Sequence, residues 1–229
     1  MLPDEPLWVE TRWMLLSGDG RLISCPPDGA IVIGSRLRTA AVIGRGFGSA
    51  LRDAMAEAPS GTDLIVQEEG LGEATRALPE WNLKMATIHA LPVGRRMWRT
   101  QSEVTVCAPP TAELLAELDE LSAHVMPWAQ HAVAVSLRRV DGEIVSVCQA
   151  IAVTEGLWDV GIDTVEGNRR DGHAIACFEA LAAHMAQRGQ QPSWGADDDN
   201  QASLGLARRL GFEPVGRMGV LEPPHAEKA

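Results

Sequence analysis

Residues 161–174, with the sequence GIDTVEGNRRDGHA, lie where one periodic pattern of the chain ends and another begins. Before this stretch, Val160 and Ile162 alternate with polar or small residues, which is typical of a β-strand. After it, apolar residues recur every three or four positions and predict one buried helix face, formed by Ile175, Phe178, Leu181, Ala182 and Met185. The stretch is therefore predicted to contain a strand end, a loop and the first turn of a helix.

The loop has the composition of a binding site for a pyrophosphate. Arg169 and Arg170 precede Gly172 at the predicted start of the helix. The N-terminus of a helix exposes unpaired N–H groups and a partial positive charge, so it attracts anions. The arginines add charged donors, and the glycine allows a ligand to approach the backbone closely. Many strand–loop–helix units share these features, so the composition of the loop does not identify a class of protein. The spacing of the residues is needed for that.

The composition is that of an acidic globular protein. The chain has 229 residues, of which 45% are hydrophobic and 22% are charged, and its formal net charge is -11. This length can bury a substantial core as one large domain or two small ones. The acidic balance argues against a nucleic-acid partner, which would need a basic face.

The four cysteines are widely separated and form no C-x-x-C pair, so we expect buried reduced thiols and no metal site. The N-terminus lacks the basic and apolar segments of a signal peptide. No apolar run approaches the roughly 20 residues needed to span a bilayer. We therefore expect a cytoplasmic protein without a membrane partner.

Residues 1–100 are predicted to form a smaller α/β region, because short apolar strands alternate with amphipathic segments. Its first part fits either a short helix or a hairpin. Ser49 is a candidate N-cap for a helix that follows the strand at Ala40–Ile43. The polar, basic segment Gly94–Gln101 is predicted to be a linker to the rest of the chain.

The glycine-rich run Gly44–Ser49 suggests a dinucleotide site, but it lacks the G-x-G-x-x-G spacing and an acidic partner for a ribose. It also contains Arg45-x-x-Gly48-x-Ala50, the spacing seen again at Arg169. The N-terminal region is then either a degenerate copy of the C-terminal half, or the match is a coincidence. We favour a structural role, as a tight start to a helix, over a ligand site.

Residues 101–229 give a clear order of elements. Thr111 is predicted to cap a helix after the first strand, and Asp141-Gly142 is a strong signal for a two-residue hairpin. A third strand, the 161–174 loop, a helix, a strand, a second helix and a final strand follow. Gly211 is expected to end the second helix as its C′ glycine.

The spacing Arg169-x-x-Gly172-x-Ala174 resembles the (Q/R)-x-x-G-x-(G/A) signature of the GNAT superfamily of acyl-CoA N-acyltransferases. Residues 200–212, NQASLGLARRLGF, are similar to a second conserved segment of that superfamily, N-x-x-(A/S)-x-x-L-(Y)-x-x-x-G-F. Pro192-x-Trp194 is similar to the branch that includes zwittermicin-resistance-type acetyltransferases. The resemblance covers residues 102–221 and implies an α/β fold with a mixed (α+β) sheet.

The resemblance also implies a set of residues that hold acetyl-CoA as a co-substrate. In this superfamily the acyl-pantetheine arm pairs with the end of the third strand, and the loop amides hold the pyrophosphate. The corresponding positions, together with two from the second segment, are Ile162, Thr164, Val165, Arg169, Arg170, Gly172, His173, Ala174, Asn200 and Ser203.

Catalysis needs a base for the acceptor amine, because an amine with a pKa near that of lysine, about 10.4, is mostly protonated at neutral pH. Asp159 is our first candidate, with Asp163 and Glu155 as alternatives. Many relatives use a tyrosine to protonate the leaving thiolate. The corresponding residue here is Ala207, and the chain contains no tyrosine, so Ser203, a bound water or no acid at all has to serve instead.

We therefore expect two parts, an N-terminal region 1–100 and a GNAT acetyltransferase domain 101–229. The expected activity is acetyl transfer from acetyl-CoA to a primary amine of a small molecule or peptide. A non-catalytic acyl-CoA-binding or interaction module is the alternative, and a nucleotide-binding enzyme using Gly44–Ser49 is a third. The oligomeric state is left open, with a dimer among the alternatives.

Overall fold

The structure is a computed structural model that describes residues 2–25, 27–92, 94, 98, 102–121 and 129–224. Helices and strands are interleaved along the chain, as expected for the α/β class. The helices are α1 Val9–Leu16, α2 Gly48–Ala56, α3 Leu71–Ala77, α4 Ala112–Leu121, α5 His173–Ala186 and α6 Gln201–Arg209. The strands are β1 Arg21–Cys25, β2 Gly29–Ile33, β3 Thr39–Ile43, β4 Asp63–Gln67, β5 Asn82–Ala90, β6 Val104–Cys107, β7 Ala134–Val140, β8 Glu143–Val153, β9 Leu157–Thr164, β10 Gln191–Asp197 and β11 Glu213–Glu222.

The first of two units contains residues 1–89, 195–204 and 214–229. Its strands are hydrogen-bonded in the order β1-β2-β3-β4-β11-β5. The β1–β2, β2–β3 and β4–β11 pairs are antiparallel, and β3 and β4 are parallel. The C-terminal strand β11 therefore inserts into a sheet built by the N-terminal part of the chain, through pairs such as Val220 with Ile65.

The second unit contains residues 90–194 and 205–213. Its strands are ordered β10-β9-β8-β7-β6. Strands β6 to β9 form antiparallel pairs, and β9 and β10 are parallel. The bounds of the two units describe which parts of the chain pack together. The division into regions 1–100 and 101–229 stays a prediction.

The same succession of elements occurs once in each unit. In the first, antiparallel β2 and β3 lead through a loop into α2, and β4 returns parallel to β3. In the second, antiparallel β8 and β9 lead through a loop into α5, and β10 returns parallel to β9. The origin of the N-terminal region as a degenerate copy of the C-terminal half stays a prediction.

Each unit has its own apolar core. In the first, Phe47, Leu51 and Leu64 are completely buried between the sheet and its helices. In the second, Phe178 of α5 stacks on Trp158 of β9, with ring centroids 6.1 Å apart. Further edge-on contacts join Phe178 to Trp98, Trp194 and Phe212.

The local signals for helix ends and turns are mostly confirmed. Asp141 and Gly142 have φ values of 52° and 93°, as a type I′ hairpin requires. Thr111 caps α4, since its Oγ1 accepts a hydrogen bond from the N–H of Leu114 at 3.2 Å. Gly211 is in the left-handed region, and the N–H of Phe212 reaches the carbonyl of Ala207 at 3.0 Å, which is a Schellman motif.

One helix-cap prediction is wrong, and one linker lies mostly outside the described residues. Ser49 is inside α2, and the N-cap position is Phe47, whose side chain makes no capping hydrogen bond. The physical reason is that the carboxylate of Glu73, from helix α3, makes this contact instead.

Of the predicted linker Gly94–Gln101, only Gly94 and Trp98 are described. The first part of the chain forms a helix, α1, followed by strand β1.

The predicted thiol state is confirmed. All four cysteines are free, and all but the half-buried Cys107 are buried. Burial raises the pKa of Cys177 to about 11 and raises that of Cys148 as well. Both thiols are therefore protonated and unreactive at neutral pH.

Candidate functional site

The loop between β9 and α5 starts the helix in an unusual backbone conformation. Gly172 is the N-cap of α5 with φ +82°, and Arg170 has φ +76°. Glycine adopts this left-handed conformation at little cost, whereas an arginine there is strained by about 1 kcal/mol or more. A Cβ added to Gly172 would meet no heavy atom within 4 Å, so the space beside the helix start is open.

Backbone N–H groups point out of this helix start. The N–H groups of His173 and Ala174 belong to the first turn, where no helical carbonyl can accept their hydrogen bonds. The N–H of Arg169, in contrast, donates to the carbonyl of Glu166 at 3.3 Å. The amides predicted to bind a pyrophosphate are therefore better placed from the middle of the loop onward than at Arg169.

The end of β9 has a backbone edge that is only partly used. Parallel pairing with β10 covers three residue pairs and ends at Asp159 with Ser193. The N–H of Val165 donates to the carbonyl of Val145 on β8 at 2.9 Å. Along an antiparallel pair, the backbone N–H and C=O groups of successive residues point alternately toward and away from the neighbouring strand. Because those of Val165 point toward β8, those of Ile162, three residues earlier, point away from it. Ile162 can therefore offer its backbone to an extended ligand, whereas the N–H of Val165 is already donated.

Thr164 and Asp163 tie the strand end to the loop. The Nε of Arg169 donates to the carbonyl of Thr164 at 3.0 Å, and its guanidinium lies 3.9 Å from the carboxylate of Asp163. The N–H of Thr164 donates to Oδ1 of Asp163 at 2.6 Å. The backbone of Thr164, predicted to contact the pantetheine arm, is therefore engaged within the protein.

Asp159 lies beside an irregularity in the sheet. The register of β8 and β9 shifts between Ala150 and Val153, opposite Trp158 and Val160. Such a bulge bends a strand and can turn a side chain toward a site. Asp159 is half-buried and shares a sheet face with Gly161 and Asp163, because side chains alternate along a strand.

The second predicted segment builds the start of α6. Oδ1 of Asn200 accepts a hydrogen bond from the N–H of Ser203 at 3.0 Å, so Asn200 caps the helix. Asn200 is exposed and Ser203 half-buried, and both belong to the first unit, whereas Asp159 and the loop belong to the second. Ala207, the position of a tyrosine in many relatives, is completely buried.

Sequence reasoning did not single out a group of charged residues in the first unit. Burial raises the pKa of Asp63, and the charge of Glu222 raises it further. Burial also raises the pKa of Asp197, while Lys84 opposes the shift. Lys84 donates a hydrogen bond to Glu222, which raises the pKa of the lysine. No local sequence pattern indicates this group, because its members lie on four different strands.

The glycine-rich loop at Gly44–Ser49 is filled from within the protein. Oε1 of Glu73 accepts a hydrogen bond from the N–H of Gly48 at 2.6 Å, and Oε2 accepts one from the N–H of Gly46 at 3.0 Å. A carboxylate thus occupies the anion-binding position at the start of α2. This arrangement agrees with the predicted structural role of the loop and gives no support to a dinucleotide site.

Across the described parts of the chain, no group of three or more His, Cys, Asp or Glu side chains is arranged to hold a metal ion. Among these same residues, no helix is both long and apolar enough to cross a membrane.

The family model for GNAT acetyltransferases matches residues 83–221. The chain therefore belongs to the GNAT acetyltransferase family. The match begins within β5 and ends within β11, so it includes both predicted signature segments. No curated protein matches the sequence.

Solved structures show the same fold over almost the whole chain. A GNAT-family protein from Novosphingobium aromaticivorans matches with a TM-score of 0.72 at 16% identity, covering 97% of this chain and 98% of that one. A GCN5-related N-acetyltransferase from Kribbella flavida matches with a TM-score of 0.67 at 18% identity, covering 97% of both chains. A tandem GNAT protein from the clavulanic acid biosynthesis pathway matches with a TM-score of 0.54 at 12% identity, covering 94% and 93%. The fold, including the N-terminal region, is thus one that GNAT proteins adopt.

Proposed function

We propose that the protein is an N-acetyltransferase that transfers the acetyl group of acetyl-CoA to a primary amine of a small molecule or peptide. The observation that carries the proposal is the start of α5. There the left-handed Gly172 leaves open space beside the N–H groups of His173 and Ala174, which have no acceptor within the helix. Family membership supports acyl transfer in general, and the residues below support the finer assignment.

The loop would hold the pyrophosphate of acetyl-CoA. The first-turn amides and the helix dipole both favour a doubly charged anion at this position. Arg169 and Arg170 are exposed and can add charge-assisted hydrogen bonds. Arg169 already donates to Thr164, so its guanidinium would either keep that contact or turn toward the phosphates.

The edge of β9 would hold the pantetheine arm. The backbone groups of Ile162 point away from β8, and the pairing with β10 has ended at Asp159. An extended chain with amide groups can pair there as an additional strand does. Val165 is 39% exposed, so its side chain offers apolar contact although its N–H is donated to Val145.

Asp159 would act as the general base. Its carboxylate accepts a proton from the acceptor ammonium, directly or through a water, and leaves a nucleophilic nitrogen lone pair. Bound acetyl-CoA supplies an activated thioester carbonyl: the nitrogen forms a bond to its carbon, the carbon–sulfur bond breaks, and sulfur leaves with the electron pair. The nitrogen then loses its second proton, which a water passes to the thiolate, and Asp159 releases the first proton to solvent.

The second candidate is an acyl-CoA-binding module without catalysis. It is favoured by the complete burial of Ala207 where many relatives carry a tyrosine, and by the lack of tyrosine in the chain. A thiolate is a tolerable leaving group, so the missing acid slows the reaction without abolishing it.

Two measurements test the proposal in order. A shift in the melting temperature with excess acetyl-CoA is expected for both candidates, and its absence would refute both. Release of free thiol from acetyl-CoA across a panel of primary amines then separates them. An amine-dependent rate supports the enzyme, whereas binding without turnover for every amine supports the module.

A further inference from the structure

Gln149 of β8 is a buried polar residue with an unsatisfied hydrogen-bonding group. It is only 5% exposed, and within the described parts of the chain its Oε1 has no hydrogen-bond partner. Leaving a buried acceptor unpaired is costly, and such groups in native proteins call for a specific explanation. A ligand with an N–H group can donate the missing hydrogen bond to Oε1 of Gln149.

The side chain of Gln149 lies directly over Gly161 of the neighbouring strand. A Cβ built on Gly161 would be 2.9 Å from Cγ and 3.2 Å from Nε2 of Gln149, and 2.7 Å from Cδ1 of Ile151. Any other residue at position 161 would therefore displace these side chains. The glycine allows the carboxamide of Gln149 to rest against the backbone of β9.

Two acidic residues flank this position on the same face of β9. Asp159 and Asp163 lie two residues to either side of Gly161 and share its face. Asp163 is engaged with the N–H of Thr164. The register shift after Ala150 falls beside Asp159, so the sheet is locally irregular at this end of the face.

We propose that Gln149 binds the acceptor amine, with its Oε1 accepting a hydrogen bond from the nitrogen that Asp159 deprotonates. Two neighbouring carboxylates favour a cationic or neutral amine and repel anionic ligands. A hydrogen bond to the neutral carboxamide leaves the nitrogen lone pair free to react. This assignment rests on the proposed function, because it names the group that holds the second substrate of that reaction.

The first test compares two glutamines. Gln190 also has a buried Oε1 without a partner among the described residues, but its Nε2 donates to the carbonyl of Thr154, away from Gly161. Thiol release is measured with acetyl-CoA and benzylamine, spermidine or a peptide with an N-terminal serine. We expect Gln149→Met to raise KM for the amine about tenfold, as the loss of one hydrogen bond would. The KM for acetyl-CoA should not change, and Gln190→Met should change neither.

An unchanged KM for the amine in Gln149→Met would overturn the assignment, and so would an equal change in Gln190→Met. The melting temperatures of both variants show whether each remains folded. A rise in KM for both substrates would indicate a structural role for Gln149 and would also overturn the proposal.

A second test does not depend on turnover or on acetyl-CoA. The side-chain amide signals of Gln149 are identified in a nuclear magnetic resonance spectrum by their loss in Gln149→Met. Titration of the protein alone with the same three amines should shift these signals to saturation. No shift with any amine would overturn the assignment of Gln149, whereas failure to bind acetyl-CoA would overturn only the proposed function.

Discussion

Oδ1 of Asp163 accepts a hydrogen bond from the backbone N–H of Thr164 at 2.6 Å, so this carboxylate is held against its own strand. The guanidinium of Arg169 lies 3.9 Å from the same oxygen. An acid held in this way stabilises the strand end and the loop and is poorly placed to take a proton from a substrate. Asp159 remains the base that we propose, and paired substitutions compare it with Asp163.

We predict that Asp159→Asn lowers kcat by about 10²-fold or more, the usual contribution of a general base. Asparagine has nearly the same shape but cannot accept the proton. The binding of acetyl-CoA should be unchanged. Steady-state thiol release with any accepted amine, together with a binding titration, checks the prediction.

Asp163→Asn is the matched control, because it makes the same chemical change on the same sheet face. It should lower stability and weaken acetyl-CoA binding through Arg169, with a much smaller effect on kcat. A larger loss of kcat in Asp163→Asn than in Asp159→Asn would exchange the two roles.

The contact of Glu73 with Gly46 and Gly48 predicts a stabilising role for the N-terminal loop. We expect Glu73→Ala to lower the free energy of unfolding by about 1 kcal/mol, as the loss of an N-cap does. For a chain of this size the melting temperature should fall by about 2–4 °C. Thermal unfolding followed by circular dichroism measures the change.

Glu69→Ala, a change at an exposed glutamate nearby, should leave the melting temperature within about 1 °C. Both variants should bind acetyl-CoA as tightly as the unmodified protein does. If Glu73→Ala folded normally but no longer bound acetyl-CoA, the Gly44–Ser49 loop would be a ligand site. Its predicted structural role would then be wrong.

The raised pKa of Asp63 predicts a pH-dependent effect on stability. Its folded pKa lies above the unfolded value of about 3.9, so its ionised form destabilises the fold at neutral pH. As the pH falls through the folded pKa, the carboxyl becomes protonated and this cost is relieved. Asp63→Asn should therefore raise the melting temperature at pH 7.5, by about 2 °C or less because the site is partly exposed.

At pH 4 the gain from Asp63→Asn should shrink, since the native carboxyl is then increasingly neutral. Asp53→Asn, at an exposed position of α2, is the control and should change neither value. A gain that is larger at pH 4 than at pH 7.5 would show that the sign of the Asp63 shift is wrong.

Local features of the fold could be predicted from the sequence because short-range physics decides them. Residues close together in the sequence determine the β9 strand pattern at Val160 and Ile162, the helix start at Gly172 and the apolar face of α5. The Asp141-Gly142 turn and the Gly211 helix end depend equally on local backbone preferences. Each of these predictions is confirmed by the structure.

Contacts between distant parts of the chain could not be predicted. Strand β11 pairs with β4, more than 140 residues earlier, and no local pattern indicates that partner. Glu73 reaches Gly48 from another helix, which is why Ser49 looked like the missing cap. Gln149 crosses to Gly161 through strand register, and a glutamine in an apolar run gives no sign of it.

We propose that the start of α5 binds acetyl-CoA, and isothermal titration calorimetry tests this binding directly. Gly172 and Gly189 have φ values of +82° and +77°, and a Cβ on either would meet no heavy atom within 4 Å. Substitution by glutamate therefore strains the backbone equally at the two positions. We predict that Gly189→Glu binds acetyl-CoA like the unmodified protein, whereas Gly172→Glu shows no measurable binding. Equal binding by the two variants would contradict the claim.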